Sequence, residues 1–275
     1  MNALTYLTLT LYLASTGLYL VYLLRQRERL HDIAFGLLAA GFAAHTLSIG
    51  IAAVRVGTLP AFSLHQALSL AGWALTGVFV AFQLRGGFPL RILGIFTAPL
   101  ASLAMLAAVQ FPAGTVPEGE TLRSFWVTFH VVLLFAGDAA FALACGAGVL
   151  YLLQERAIKT KQRGFFYRRL PSLERLDQTG YRCIVVGFTL LTVGLVSGFV
   201  YAKAAWGRFW TWDPKEVWSA VMWMFYAALL HERLAVGWRG RKSAILSIIG
   251  FGVLIFTFLG VNLLFKGHHG EFTQW

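Results

Sequence analysis

The chain has 275 residues, of which 58% are hydrophobic and 13% are charged, and its formal net charge is +11. This composition excludes an ordinary soluble domain, and apolar runs of about 18 or more residues predict membrane-spanning helices. In a membrane protein a basic excess marks cytoplasmic loops, so the charge does not indicate nucleic-acid binding.

The apolar runs follow one another along the chain as eight predicted spans. They are residues 3–24, 32–54, 62–84, 90–110, 125–153, 181–202, 216–234 and 243–265. The first span lacks a basic n-region and a small-residue cleavage site, so we predict a retained helix and not a signal peptide. Because the connecting segments are short, the sequence predicts an all-α fold, a polytopic membrane helix bundle of about eight transmembrane helices. This bundle forms one domain over residues 1–275.

The links between the spans differ in charge and so predict the orientation. Four of them, residues 25–29, 85–91, 155–182 and 232–242, hold 17 of the 23 Lys and Arg residues. Basic loops stay in the cytoplasm. We therefore predict that both termini lie on the outer side of an inner (cytoplasmic) or thylakoid-type membrane, together with the tryptophan-rich segment described below.

The link 155–182 is the longest and most basic of the four. A basic segment beside a membrane is attracted to the anionic inner leaflet. We predict that it lies along the lipid surface as an interfacial helix. A solvated loop that only follows the positive-inside rule is the alternative.

The stretch "AAWGRFWTWDPKEVW", residues 204–218, contains the signature of a helix start. Asp213 fits the N-cap position, Pro214 fits the first helical position, and Glu216 lies three residues after the cap, as in a capping box. Asp213 therefore has a structural role as a helix cap. Direct contact with a ligand is the alternative.

The same stretch is rich in aromatic residues. Four tryptophans and one phenylalanine lie within the thirteen positions from Trp206 to Trp218. Tryptophan is enriched at membrane interfaces, where a belt of rings needs no further role. Five aromatic residues on one short loop exceed that need and favour a stacking platform for a flat, apolar, partly charged ligand. Trp206 and Trp210, four residues apart, would share a face if this piece were helical.

Six of the seven histidines lie in or beside predicted spans, where ionisable side chains are costly and suggest function. His130 lies near the outer end of the fifth span, and His268 and His269 directly follow the eighth. Two imidazoles on opposite faces of a flat ring are the ligands of bis-histidine haem, whereas zinc takes three or four closely spaced ligands. The outer loops contain no HxxxH or HxH cluster, which favours haem over zinc.

Other polar residues within the spans leave two interpretations open. His231 lies at the inner end of the seventh span and His45 near the middle of the second, and each is either a ligand or a hydrogen-bonded core histidine. Asp138 is predicted to be buried in the fifth span, where it could pair with a cation or bond across helices. Cys145 and Cys183 lie far apart in apolar runs, so no CxxC motif or disulfide framework is present.

The stretch "WGRFWTWDPKEVWSAVMW" resembles the WWD motif of a superfamily of haem-handling membrane proteins. Three further segments agree. "FHVVLLFAGDAAFALACGAGVLYL" is similar to the outer-histidine helix of that superfamily, "YAALLHERL" to its inner-histidine segment, and "GVNLLFKGHHGEF" to its C-terminal segment. The number of spans and the C-terminal segment resemble the CcsA (ResC) type more than the six-span CcmC type. The likeness is strong over about residues 125–270 and weak before that.

The resemblance implies a set of haem-binding residues. The role of outer ligand to the haem iron falls on His130 and His269, while His268 stands where an apolar residue is usual. The role of inner iron ligand falls on His231. Its opposite ligand would come from a CcsB (ResB)-type partner protein or from His45. The WWD role falls on Trp206, Trp210, Trp212 and Asp213.

The resemblance also implies a function in cytochrome c biogenesis, as a subunit of a cytochrome c synthase (haem lyase). Such a protein carries haem b across the membrane and presents it at the outer face for thioether attachment to the CxxCH motif of apocytochrome c. A haem-binding regulator or chaperone of the HemX-like kind, or a haem exporter, remains an alternative. The chain departs from the family pattern at Gln66, where Glu is usual and His65 lies beside it, and at Lys203–Ala204, where an Asn-Glu pair is common. We expect these departures to affect the inner part of the haem path.

Overall fold

The structure is a computed structural model that describes residues 3–85, 91–114, 125–161 and 164–264. Every regular element in these ranges is a helix, which confirms the predicted all-α class. Helices α1 to α10 are Ala3–Arg25, Glu28–Val56, Leu64–Leu84, Gly94–Ala108, Phe125–Lys159, Phe165–Arg169, Leu173–Trp206, Pro214–His231, Arg241–Ile255 and Val261–Leu264. A 3₁₀ turn, Arg91–Leu93, precedes α4, and π-helical turns, Glu232–Val236 and Phe256–Gly260, follow α8 and α9.

Seven helical stretches in the described ranges are long and apolar enough to cross a membrane, and they correspond to seven of the predicted spans. The chain is an integral membrane protein. The remaining predicted span, 216–234, forms α8. Its 18 residues cover about 27 Å, close to the thickness of a bilayer core of about 30 Å. The total of eight spans and the orientation stay predictions.

The basic segment 155–182 belongs largely to the long helices on either side of it, and its position along the lipid surface stays a prediction. α5 continues to Lys159 and α7 begins at Leu173, and the helix between them, α6, has only five residues. Glu155 forms ion pairs with Lys159 at 2.8 Å and with Arg241 at 3.1 Å. Pairs of this kind stabilise helical turns beyond the bilayer. The helices therefore extend past the point at which hydropathy ends the spans.

Helix α5 is the central element, and it packs against α3, α7 and α9. Its buried positions between 137 and 148 are mainly Gly and Ala. Small residues let helix backbones approach closely in a membrane. At Gly148 a Cβ atom would lie 2.8 Å from the carbonyl oxygen of Ala244, so α9 can pack at this distance only against glycine.

The N-terminal helices bury polar groups and expose apolar ones, as expected in lipid. The buried residues of α1 are Thr8, Tyr12, Ser15, Tyr19 and Tyr22. The Tyr12 hydroxyl lies 3.2 Å from His45 Nδ1, and His45 Nε2 lies 2.8 Å from the Ser69 hydroxyl. Both ring nitrogens of His45 therefore have partners inside the bundle. This geometry supports the core-histidine interpretation of His45.

The helices alternate in direction, and one end of the bundle brings together the starts of α3, α5 and α8 and the end of α7. We refer to it as the outer end, because the distribution of basic residues predicts that it lies outside. The segment 204–218 belongs to this end.

Candidate functional site

A cavity of about 300 Å³ lies at the outer end, between α3, α5, α7, α8 and the π turn after α9. Ligand sites in proteins are commonly of about 300–1,000 Å³ and mostly apolar. Most lining residues are apolar, including Phe62, Phe135 and Phe199. The polar or charged lining residues are His130, Asp138, Tyr201, Lys215, Glu216, Ser219 and Thr257. We refer to this space as the outer cavity.

His130 lies in the second turn of α5 and lines the outer cavity. Its Nδ1 atom lies 2.7 Å from the carbonyl oxygen of Gly194 on α7. Because a carbonyl only accepts, Nδ1 carries the proton and the lone pair of the neutral ring lies on Nε2. A metal-ligating histidine commonly has its other nitrogen bonded in this way, which orients the ring and makes it more basic.

The position of the His130 ring depends on a glycine of α7. A Cβ atom added at Gly198 would lie 2.5 Å from Cε1 of the imidazole. Real Cβ atoms do not approach so closely, so any larger residue would displace the ring. Gly198 itself lines the outer cavity.

The helix cap predicted at Asp213 is confirmed. The Asp213 side chain accepts a hydrogen bond from the backbone N–H of Lys215 at 2.9 Å, and it is 4% exposed. Glu216 completes the capping box by accepting from the backbone N–H of Asp213 at 3.3 Å. Glu216 also accepts from the backbone N–H of Thr211 at 2.8 Å and from its hydroxyl at 3.0 Å. The box therefore orders the end of the tryptophan segment as well as the start of α8.

Trp210 and Trp212 contact each other edge to face, with ring centroids 5.7 Å apart and planes at 90°. Trp210 also packs against Phe199 of the cavity wall, at 5.8 Å. Trp212 is 78% exposed, and its backbone has a φ of 61°, in the left-handed region. Bulky residues rarely adopt this conformation, and such strain concentrates at functional sites. Trp210 therefore contacts the cavity wall through Phe199, and Trp212 contacts Trp210, but neither ring lines the outer cavity itself.

The suggestion that Trp206 and Trp210 share a helical face is wrong. α7 ends at Trp206, and Gly207 caps it with a φ of 72°. The chain is not helical again until Pro214, because this glycine conformation ends the helix. The side chain of Trp206 lies outside the described part of the structure, as do His268 and His269.

His231 is the last residue of α8, and its side chain is exposed. It is 17 residues from Pro214, which corresponds to about 26 Å along the helix. His231 therefore cannot contact the same small ligand as His130. The turn that follows is fixed by Arg233, which donates to Asp177 at 2.9 and 2.7 Å.

Gln66, where the chain departs from the family pattern, lies beside the outer cavity and not on the inner side. Its Oε1 accepts from the backbone N–H of Phe62 at 2.7 Å, and its Nε2 donates to the carbonyl oxygen of Ala113 at 2.8 Å. Phe62 and Ala67 line the cavity. A glutamate could not make the second bond, because a carboxylate has no donor. This departure therefore lies near the outer cavity, and its effect on the inner part of the haem path stays a prediction.

The described residues contain no group of three or more His, Cys, Asp or Glu side chains that could hold a metal ion. A single histidine beside an apolar cavity instead suits a flat cofactor that already carries its own metal. The cofactor then supplies most of the bonds to that metal, and the protein supplies the histidine.

Comparison with known proteins agrees with this geometry. A family model described as "Cytochrome C assembly protein" matches residues 61–269. The chain belongs to the cytochrome c assembly protein family. The match begins well before residue 125, so the family pattern extends beyond the region in which the sequence motifs are strong.

Individual members of this family are similar over most of their length. The cytochrome c biogenesis protein CcsA of Guillardia theta is 31% identical, and the match covers 98% of this chain and 94% of that protein. CcsA of Synechococcus sp. strain CC9902 is 34% identical over 78% of each chain. CcsA of Chlorella vulgaris is 32% identical over 82% of this chain and 81% of that protein.

A solved structure named "Cytochrome c Heme Lyase CcmF" has the same fold over 98% of this chain, with a TM-score of 0.61 and 19% identity. This chain corresponds to 47% of that longer protein. Membership in the cytochrome c assembly family makes cytochrome c maturation the process in which the chain acts.

Proposed function

We propose that the chain holds haem b in the outer cavity and presents it for thioether attachment to the CxxCH cysteines of apocytochrome c. His130 and His269 are the axial ligands in this proposal. The observation that carries it is the His130 imidazole, which lines an apolar cavity while Nδ1 is bonded to the Gly194 carbonyl.

The residues of the outer cavity fit a porphyrin. The walls supply apolar and aromatic contact for a flat ring, and Trp210 packs against Phe199 of the wall. Lys215 is a cation in the wall that can attract a carboxylate. When bound, haem supplies the iron and the two vinyl groups to which thiols add. The chain's own residues orient the ligand and exclude water, which is how a protein accelerates a reaction between two held partners.

The proposal includes an inner haem site at His231, completed by a CcsB (ResB)-type partner. His231 is exposed at the far end of α8, where another protein can reach it. His45 is the alternative source of the opposite ligand, but both of its ring nitrogens are bonded, to Tyr12 and Ser69. The geometry therefore supports a partner-supplied ligand.

The experiment compares the wild-type chain, His130→Ala and His65→Ala, each co-expressed with a CcsB-type partner and a reporter cytochrome c. His65 is a suitable control, because its Nδ1 bonds to the Ala108 carbonyl at the same end of the bundle but its side chain does not line the cavity. We expect a low-spin bis-histidine haem spectrum and covalent holocytochrome for the wild type and for His65→Ala, and neither for His130→Ala.

An unchanged haem spectrum in His130→Ala would contradict the assignment of this ligand. Haem bound by the wild type without any thioether formation, in the presence of the partner and reduced apocytochrome, would instead favour the regulator or exporter. Co-purification of the partner is measured in the same samples.

A further inference from the structure

Asp138 is a carboxyl residue in the wall of the outer cavity, and no function described above uses it. It lies on α5, eight residues beyond His130, and lines the deep part of the cavity. Its Oδ1 atom is buried and has no hydrogen-bond partner in the described ranges. Native proteins leave few buried polar atoms unpaired, so each one requires an explanation.

A second unpaired group lies close by. Tyr226 of α8 is fully buried, and its hydroxyl has no partner among the described residues. Its ring stacks on Phe141, one turn beyond Asp138 on α5, with centroids 3.5 Å apart and planes at 9°. Two polar atoms without partners among the described residues are therefore close to the cavity. One is Oδ1 of Asp138 in its wall, and the other is the hydroxyl of Tyr226, one turn along α8 from the lining residue Met222.

An isolated carboxylate in such apolar surroundings is very costly, and a group in this position takes up a proton instead. A protonated carboxyl group has one O–H donor and retains acceptor oxygens. Asp138 is therefore suited to a neutral hydrogen-bonding partner or to one that has acceptors of its own.

Few groups of a tetrapyrrole can meet this requirement. Its ring carbons, methyl groups and vinyl groups form no ordinary hydrogen bonds. Its two carboxyl groups, which share one edge, accept hydrogen bonds when ionised and both accept and donate when protonated. The eight residues from His130 to Asp138 correspond to about 12 Å along α5. This distance is comparable with the span from the centre of a porphyrin to its carboxyl edge.

We infer that Asp138 recognises a carboxyl group of the tetrapyrrole, so that the carboxyl edge of the ligand lies at the floor of the outer cavity. The opposite edge, which carries a vinyl group, then faces the tryptophan segment, from which apocytochrome thiols approach. This inference rests on the proposed function and adds to it the orientation of the ligand. The competing arrangement places the carboxyl edge at Lys215, near the start of α8.

The test measures binding of two metal-free ligands, protoporphyrin IX and etioporphyrin III, to the full chain in detergent. Etioporphyrin III carries only methyl and ethyl groups and so lacks the carboxyl edge. Neither contains iron, so histidine ligation does not contribute. Asp138→Leu is expected to weaken binding of the diacid roughly tenfold, the loss typical of one hydrogen bond to a charged or strongly polar group. Binding of etioporphyrin III should change less than about twofold, because it has no oxygen that could accept a hydrogen bond from Asp138.

Ser247→Ala is the control for removal of a buried polar group. Ser247 bonds within α9 to the Ser243 carbonyl at 2.8 Å and does not line the outer cavity. We expect it to leave both affinities unchanged. Equal losses for the two ligands in Asp138→Leu, or a selective loss confined to Lys215→Gln, would overturn the inference and leave the proposed function intact. Failure of the wild type to bind either metal-free porphyrin would overturn the inference, whereas failure to bind haem itself would overturn both.

A second measurement does not depend on how well Asp138→Leu folds. Infrared difference spectra of ¹³C-labelled wild-type protein should contain the C=O stretch of a protonated carboxyl group that is absent in Asp138→Asn. Unlabelled protoporphyrin IX should shift this band and etioporphyrin III should not. An ionised Asp138, or a band that neither ligand moves, would refute recognition of the carboxyl edge.

Discussion

Removal of the Asp213 cap should destabilise the first turn of α8, and the free-energy cost can be worked out from the hydrogen bond that is lost. Asp213→Ala deletes the acceptor for the backbone N–H of Lys215 in a site that is 4% exposed. Loss of an N-cap acceptor costs about 0.5–2 kcal/mol, and asparagine replaces aspartate at almost no cost. The open population of this turn should therefore rise about 2- to 30-fold in Asp213→Ala and stay nearly unchanged in Asp213→Asn.

Hydrogen exchange followed by mass spectrometry on peptides covering residues 208–218 measures this opening directly. Ser172→Ala is a matched control, because Ser172 caps α7 at the opposite end of the bundle by accepting from the backbone N–H of Arg175. It should accelerate exchange near residue 175 and leave 208–218 unaffected. If Asp213→Asn exchanges as fast as Asp213→Ala, charge and not capping is the role of Asp213, and ligand contact becomes the better explanation.

His269→Ala is expected to abolish holocytochrome formation, and His268→Ala is expected to reduce it less. Added imidazole should partly restore the activity of His269→Ala. Full activity of His269→Ala without imidazole would refute its assignment as an iron ligand. His231→Ala should lower the amount of haem that reaches the outer site without changing the spectrum of the haem bound there. Added imidazole should restore that amount. Unchanged haem loading would contradict an inner site. Gly198→Ala should reduce haem occupancy, since its Cβ would lie 2.5 Å from the outer histidine ring of α5; unaltered occupancy would show that the ring can move. Trp212→Gly should remove a backbone strain of about 1–2 kcal/mol. The melting temperature should therefore rise, while porphyrin binding weakens. A lowered melting temperature would indicate that packing of the Trp212 ring stabilises the protein by more than the strain costs.

The strained backbone of Trp212 is held in place by the helix cap that follows it. A bulky residue with a positive φ persists only where its surroundings hold it. Here the Glu216 carboxylate binds the backbone N–H groups of Thr211 and Asp213, on either side of Trp212. The capping box therefore both starts α8 and holds the ring of Trp212 out from the surface. This arrangement gives a physical reason why the motif combines tryptophans with an acidic helix start.

Much of the molecule could be predicted from short stretches of sequence. Hydropathy located the helices, since a segment in lipid must satisfy its backbone groups internally whatever its neighbours are. The cap at Asp213 was predictable because the hydrogen bonds of the capping box join residues no more than five positions apart. The helix ends were less predictable. One of the two ion pairs of Glu155 at the end of α5 is with Arg241 of α9, a residue 86 positions away.

The tertiary structure alone decided which polar residues face the site. His130, Gly194 and Lys215 come from three helices, and only packing brings His130 to the Gly194 carbonyl, 64 residues away. The same packing gives His45 two partners and places Gln66 at the outer end. It also leaves Oδ1 of Asp138, in the cavity wall, without a hydrogen-bond partner among the residues that the structure describes. A sequence specifies local hydrogen bonds through residues a turn apart, whereas a cavity and its unpaired groups exist only once distant helices have met.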